Sequence, residues 1–126
     1  MKILFADDHE VIRQIIRKIL QDEYPSAIIE EVKDGQELVA KVIGGHWDVV
    51  ISDISMPVMN GLEFVKAVRA EKAYDNLTIV MVTTETETSQ MVAALDAGAN
   101  DYIMKPFTDE IIVERLMLLG IQEQAV

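Results

Sequence analysis

Short apolar runs alternate with longer amphipathic stretches five times along the chain. Residues 2–6 form the first run, with Ile3, Leu4 and Phe5 at its centre. Over residues 10–21, Val11, Ile12, Ile15, Ile16, Ile19 and Leu20 recur at helical spacing and predict an amphipathic helix. Pro25-Ser26 break it, and residues 28–32 read as a second strand. Asp34-Gly35 is a turn signal ahead of a helix carrying Leu38, Val39, Val42 and Ile43, which Gly44-Gly45 close. Residues 49–53 predict a third strand, and a loop punctuated by Pro57 and Gly61 leads to a helix over 62–71. A fourth strand is expected over 78–83, a fourth helix over 89–97 ending at Gly98, and a fifth strand over 101–104. Thr108 is the expected N-cap of a last helix over 109–119, which Gly120 ends.

The strand segments are continuous apolar runs rather than strict alternations, the pattern of a parallel sheet covered on both faces. Alternation of strand and helix, with right-handed crossovers, then gives an α/β fold. The expected architecture is a flavodoxin-like, doubly wound five-stranded parallel sheet in the order 2-1-3-4-5, with five helices. The 126 residues fit one domain, expected to span 1–120 with a short frayed tail over 121–126. Half of the residues are apolar, enough to bury a core without metal or disulfide staples.

Charge narrows the function classes. The chain has 22 acidic and 11 basic side chains, a formal charge of −11. Such a balance argues against direct nucleic-acid binding and against an anionic membrane surface. It suits a cation ligand or a basic patch on a partner protein. The lack of cysteine excludes disulfides and thiolate catalysis and fits a cytoplasmic setting. Met1-Lys2 and the short apolar run after them are too little for a secretory signal, and no run reaches membrane-spanning length.

The polar residues with chemical potential fall at one kind of place. Asp7 and Asp8 follow the first strand, Asp53 ends the third, Thr83 ends the fourth and Lys105 follows the fifth. Doubly wound sheets bind ligands beyond the carboxyl ends of their strands, at the switch point between strands one and three. Neighbouring strands lie roughly 4.8 Å apart, so the three acids are expected to converge. Crowded carboxylates need a cation, and oxygen-only donors suit a hard ion such as Mg²⁺. A carboxylate beside Mg²⁺ and a lysine is equipped to accept a phosphoryl group. His9 follows the acids and could suggest a transition-metal ligand, but it is expected to be a surface residue in the first turn of the first helix.

Phe5-Ala6-Asp7-Asp8, Lys33-Asp34-Gly35, Ser52-Asp53-Ile54-Ser55-Met56-Pro57, Asn60-Gly61, Val82-Thr83, Ala97-Gly98-Ala99 and Asp101-Tyr102 with Lys105-Pro106-Phe107 carry a family resemblance. Over residues 2–119 the chain resembles the receiver domain of two-component response regulators, in the single-domain form of the chemotaxis type. The resemblance implies that Asp53 is the phosphoacceptor and Asp8 a direct Mg²⁺ ligand. It implies that the Ser55 backbone carbonyl also binds the metal and that Asp7 acts through water. Lys105 would touch the phosphoryl group, Thr83 would be the switch hydroxyl and Tyr102 the switch aromatic. A histidine kinase or phosphotransfer protein would donate the phosphoryl group. A downstream protein target would read the surface of helix four, strand five and helix five. Thr84 stands where the family usually has a smaller residue, and Ser55 and Glu85 occupy positions that vary.

Three other readings fit less well. An aspartyl-phosphate phosphohydrolase wants an acid two residues after its nucleophile, where this chain has Ser55. A nucleotide or flavin binder wants a glycine-rich first loop, where Ala6-Asp7-Asp8-His9 stands. A receiver-like binding module that is not phosphorylated would not need the complete set of acids, threonine and lysine. The expected role is therefore a switch, not an enzyme acting on a separate substrate. On the last helix, Ile112, Leu116 and Leu119 share an inward face, leaving Ile111 and Leu118 as a candidate partner or weak-dimer contact.

Overall fold

The structure, a computed structural model, describes residues 1–122. Its strands are β1 (Lys2–Ala6), β2 (Ile28–Val32), β3 (Val49–Asp53), β4 (Thr78–Thr83) and β5 (Asp101–Met104). They alternate with α1 (Glu10–Glu23), α2 (Gly35–Val42), α3 (Gly61–Arg69), α4 (Thr88–Ala97) and α5 (Asp109–Leu118). All strand pairs are parallel, in the order β2-β1-β3-β4-β5. Fold class and strand order are those the sequence pattern predicts.

The continuous apolar runs follow from coverage on both sides. Side chains alternate along each strand. Leu4, Ala6, Val50, Ile79 and Met81 meet Leu38 of α2, Phe64 and Val65 of α3, and Ala94 of α4. Ile3, Phe5, Val49, Ile51, Val80 and Val82 fill the opposite face with Ile16 and Leu20 of α1 and Ile112 and Leu116 of α5. The edge strand β2 departs from this pattern. Its Ile28 is exposed, and Glu31 bridges Arg13 and Arg17 of α1 at 3.0 and 2.9 Å. Charges on this edge discourage pairing with a second chain.

Helix starts are fixed by local chemistry. Asp34 accepts from the Glu37 N–H at 2.8 Å, and Thr108 accepts from the Ile111 N–H at 3.2 Å, as its sequence position predicts. Asn60 and Glu63 form a reciprocal capping box at the start of α3. The next residue is glycine for a steric reason. A Cβ on Gly61 would lie 2.7 Å from the Asp53 carbonyl oxygen and 2.9 Å from Ile54 Cα. Gly61 thus lets α3 begin directly against the end of β3, beside Asp53.

One boundary needs correction. The frayed tail expected from residue 121 onward does not begin there. Ile121 is buried with the α1/α5 core cluster. Its N–H donates to the Leu116 carbonyl at 2.9 Å, and its carbonyl accepts from the buried Tyr24 hydroxyl at 2.9 Å. Gly120, with φ +82, turns the chain so that Ile121 folds back onto α5. The remainder of the expected tail, residues 123–126, lies outside the described residues.

Candidate functional site

The site lies where β1, β3, β4 and β5 end. In register, Ala6 pairs with Ser52, Asp53 with Val82, and Thr83 with Met104. The residues that follow these pairs therefore share one sheet edge. Asp7, Asp53 and Thr83 are buried there, whereas Asp8 is exposed at the rim. Lys105 reaches across from the end of β5. Its Nζ lies 3.0 Å from Asp7 Oδ2 and 3.3 Å from Asp53 Oδ2.

Each acid is held by more than the lysine. Asp7 Oδ1 accepts from the His9 N–H at 2.8 Å. The Asp7 carbonyl accepts from the Arg13 guanidinium at 2.7 Å. Asp53 Oδ1 accepts from the Ser55 N–H at 3.3 Å, which draws the β3–α3 loop over the site. The Lys105 N–H donates to the Thr83 carbonyl at 2.6 Å and ties the ends of β4 and β5 together.

The electrostatics are those of a negative pocket only partly neutralised. Burial pushes the Asp53 carboxyl up to about 6; Lys105 opposes the shift, Asp7 adds to it, and the Ser55 N–H opposes it. Burial also works against the charge on Lys105, but Asp53 and Asp7 outweigh it and hold that ammonium above its ordinary range. One ammonium thus leaves excess negative charge among the acids. The ligand atoms of Asp7, Asp8, His9 and Asp53 all lie within 4.8 Å of one another. This carboxylate-rich donor set, short of positive charge, fits a divalent cation. Ser55, whose carbonyl the resemblance assigns to the metal, is two residues beyond Asp53 in the loop that bonds to it.

The two expected switch residues sit further along the sheet. The fully buried Thr83 donates only locally, to the Thr84 carbonyl at 3.3 Å. Tyr102 is half-buried beside the α2/α3/α4 core, with the Arg115 guanidinium 5.8 Å from its ring centroid. It lines a groove of about 460 Å³ with Glu85, Met104, Lys105, Ile111 and Arg115. Thr83 and Tyr102 are thus on adjacent strands and on the side of the site toward α4. Their placement in one wall is compatible with coupled movement.

Two neighbours were not singled out as site residues by the sequence reading. Arg13 braces the Asp7 backbone, and only its helical spacing after the acid pair signals it. His9 is exposed, as expected, and its Nδ1 lies 3.2 Å from Asp7 Oδ1 and 3.1 Å from Asp8 Oδ1.

Two buried aspartates, a third acid at the rim and a lysine gather at the carboxyl edge of a doubly wound sheet. The response regulator receiver domain family matches residues 3–117, and the chain belongs to that family. It is 42% identical over 118 residues to a chemotaxis protein CheY homolog of Campylobacter jejuni, covering 92% of this chain and 89% of that protein. The structure of the chemotaxis response regulator CheY4 of Vibrio cholerae superimposes with a TM-score of 0.85 at 40% identity, covering 94% of this chain and 97% of that one. The receiver domain of Saccharomyces cerevisiae Ssk1, solved together with the phosphotransfer protein Ypd1, shares the fold with a TM-score of 0.83 at 22% identity, over 93% of this chain and 86% of that one.

Proposed function

We propose that this protein is a phosphorylation-dependent switch of a two-component system, with Asp53 as phosphoacceptor. The observation that carries the reading is the Lys105 ammonium lying within 3.0 and 3.3 Å of Asp7 and Asp53. Asp8, Asp53 and the Ser55 carbonyl would hold Mg²⁺, with Asp7 acting through water. The bound ion supplies Lewis-acid neutralisation of phosphoryl oxygens. The chain's own residues do the rest. Asp53 attacks the phosphorus of a phosphohistidine on a histidine kinase or phosphotransfer protein. The new P–O bond forms as the P–N bond breaks, and the nitrogen keeps the electron pair. Lys105 compensates charge on the transferring group, and the Ser55 N–H fixes the acid's orientation. The product is an acyl phosphate on Asp53, so the protein processes only its own phosphoryl group.

The acyl phosphate adds charge and acceptor oxygens beside β4. Thr83 exchanges its local bond to Thr84 for one to the new oxygens. Tyr102 then turns toward the space released, a population shift between two packings. The changed surface of α4, β5 and α5 binds a downstream protein target. Exposed Ile111 and Leu118 provide an apolar contact there, for that target or for a weak dimer. Among the described residues no helix is long and apolar enough to cross a membrane, which agrees with a cytoplasmic role. Similarity to chemotaxis regulators supports that process as its setting.

The test is incubation with a small acyl phosphate and Mg²⁺, followed by intact-mass measurement and peptide mapping. Wild type gains one phosphoryl group on Asp53, and Asp53→Asn gains none. Equal labelling of the Asn variant at another residue would overturn the assignment.

A further inference from the structure

The imidazole of His9 has no task in the mechanism above, yet its position is determined. The His9 backbone N–H is fixed to Asp7 Oδ1 at 2.8 Å. The residue caps α1 in extended conformation, with φ −98 and ψ 118. That geometry delivers Nδ1 to 3.1 Å from Asp8 Oδ1 and 3.2 Å from Asp7 Oδ1. Adjacent corners of an octahedron with bonds of about 2.1 Å are about 3 Å apart. Nδ1 therefore stands from Asp8, the proposed direct ligand, at the spacing of neighbouring ligands around one ion, while its contact with Asp7 is at hydrogen-bond distance. It also lies, with Asp53, inside the 4.8 Å span of the group.

We infer that His9 Nδ1 is a nitrogen ligand of the divalent cation at this site and shifts its preference from Mg²⁺ toward a first-row transition ion. The inference rests on reading the acid pocket as a metal site. The chemistry is that of donor softness. Mg²⁺ takes oxygen donors and keeps its waters, gaining little from imidazole, whereas Co²⁺, Ni²⁺ and Zn²⁺ bind imidazole well. The ring is exposed at the rim, so it closes onto an ion without repacking the core. Replacing it removes a donor and leaves the acids in place.

Co²⁺ is the probe, because its absorption and paramagnetically shifted proton signals report the ligands directly. Calorimetric titration of Co²⁺ and Mg²⁺ is compared for wild type, His9→Ala and His46→Ala. The last alters the other of the chain's two histidines, in the loop before β3 at the far end of the sheet. Wild type and His46→Ala are expected to bind Co²⁺ at least about tenfold more tightly than Mg²⁺ and to show a shifted imidazole N–H signal. His9→Ala loses that signal and about tenfold in Co²⁺ affinity, while its Mg²⁺ affinity stays within about twofold. An unchanged Co²⁺-to-Mg²⁺ ratio in His9→Ala would overturn the inference and leave His9 a hydrogen-bond partner of the acids. If wild type bound neither ion, the metal-site reading itself would fall, and this inference with it.

Discussion

The two halves of the proposed switch are built to opposite specifications. Around β1 and β3 the chemistry is fixed in advance. Asp7 and Asp53 are buried, both meet Lys105, and backbone donors orient their oxygens. Around β4, β5 and α4 the backbone is tied, but the two switch side chains make few directed bonds. Among the described residues the Thr83 hydroxyl bonds only to its neighbour's carbonyl, and Tyr102 stands half-buried beside a groove. Glu87, the N-cap of α4, makes no side-chain cap bond. Preorganised dipoles and charges would favour the proposed transfer to Asp53, because nothing need reorganise as charge develops. A readout surface needs the reverse, two packings close in free energy. The difference teaches that rigidity and latitude are divided between neighbouring strands of one sheet.

Substitutions on the two sides test this division, and the largest effect is expected at Lys105. In Lys105→Met, two buried acids lose their shared cation. Removing one member of a buried ion pair costs roughly 3–5 kcal/mol, and partial exposure of the lysine puts the loss at about 2–4 kcal/mol. Tyr102→Leu, on the loose side, is expected to cost no more than about 1 kcal/mol. Urea unfolding of the metal-free variants measures both, and equal losses would erase the contrast.

Next in size is the effect of Asp53 itself, which is opposite in sign. Its folded-state pKa of about 6 lies above the ordinary 3.8. Between these values the folded state binds more protons than the unfolded one, so stability falls as pH rises from about 4 to 6. The ionised acid is thus a liability at neutral pH in the absence of metal. Asp53→Asn should raise the stability of the metal-free protein by about 1–3 kcal/mol at pH 7. The gain should shrink as pH falls through 6 and vanish below about 4. The same titration governs reactivity: with limiting divalent ion, the phosphorylation rate should drop as pH falls below about 6. A variant less stable than wild type at pH 7, or a gain that does not vary with pH, would contradict the electrostatic picture of the tight half.

What the sequence made legible divides along a related line. Apolar runs at β1, β3 and β4 announced a doubly covered parallel sheet, because burial on both faces leaves no polar alternation to misread. The site acids, Thr83 and Lys105 were legible because strand ends in this topology share an edge. Features that depend on distant partners left no local trace. Gly120 signalled a helix stop, but Ile121 is buried through a bond to Tyr24, remote in the chain. Arg69 resembles any charge at a helix end. It donates to the carbonyls of Tyr74, Leu77 and Gly98 and to the Asn100 side chain, tying α3 to the turns before β4 and β5. Backbone acceptors have no sequence signature. The exposure of His9 was predictable from its place after the acids; its rotamer was not, because that depends on how α1 leaves the end of β1.

The smallest predicted effect falls on the seam between the halves, at Thr84. Its hydroxyl lies 2.9 Å from Glu87 Oε1 and 2.9 Å from Thr86 Oγ1, and its N–H donates to the same Glu87 oxygen at 3.0 Å. These bonds close the short 3₁₀ turn Glu85–Glu87 that follows Thr83 and precedes α4. Thr84→Ala removes the hydroxyl bonds but keeps the backbone donor. By analogy with other caps, it should cost about 0.5–1 kcal/mol. It also removes bulk at a position where the family resemblance implies a smaller residue beside the route to Asp53. Labelling by a small acyl phosphate should therefore quicken a few-fold even as stability declines. Thr84→Ser separates the two effects: it keeps the hydroxyl bonds and sheds only a methyl, so it should retain stability and recover only part of the gain in rate. If Ala and Ser variants both labelled at the wild-type rate, Thr84 would be a cap of the loose half alone, with no hold on access to the tight one.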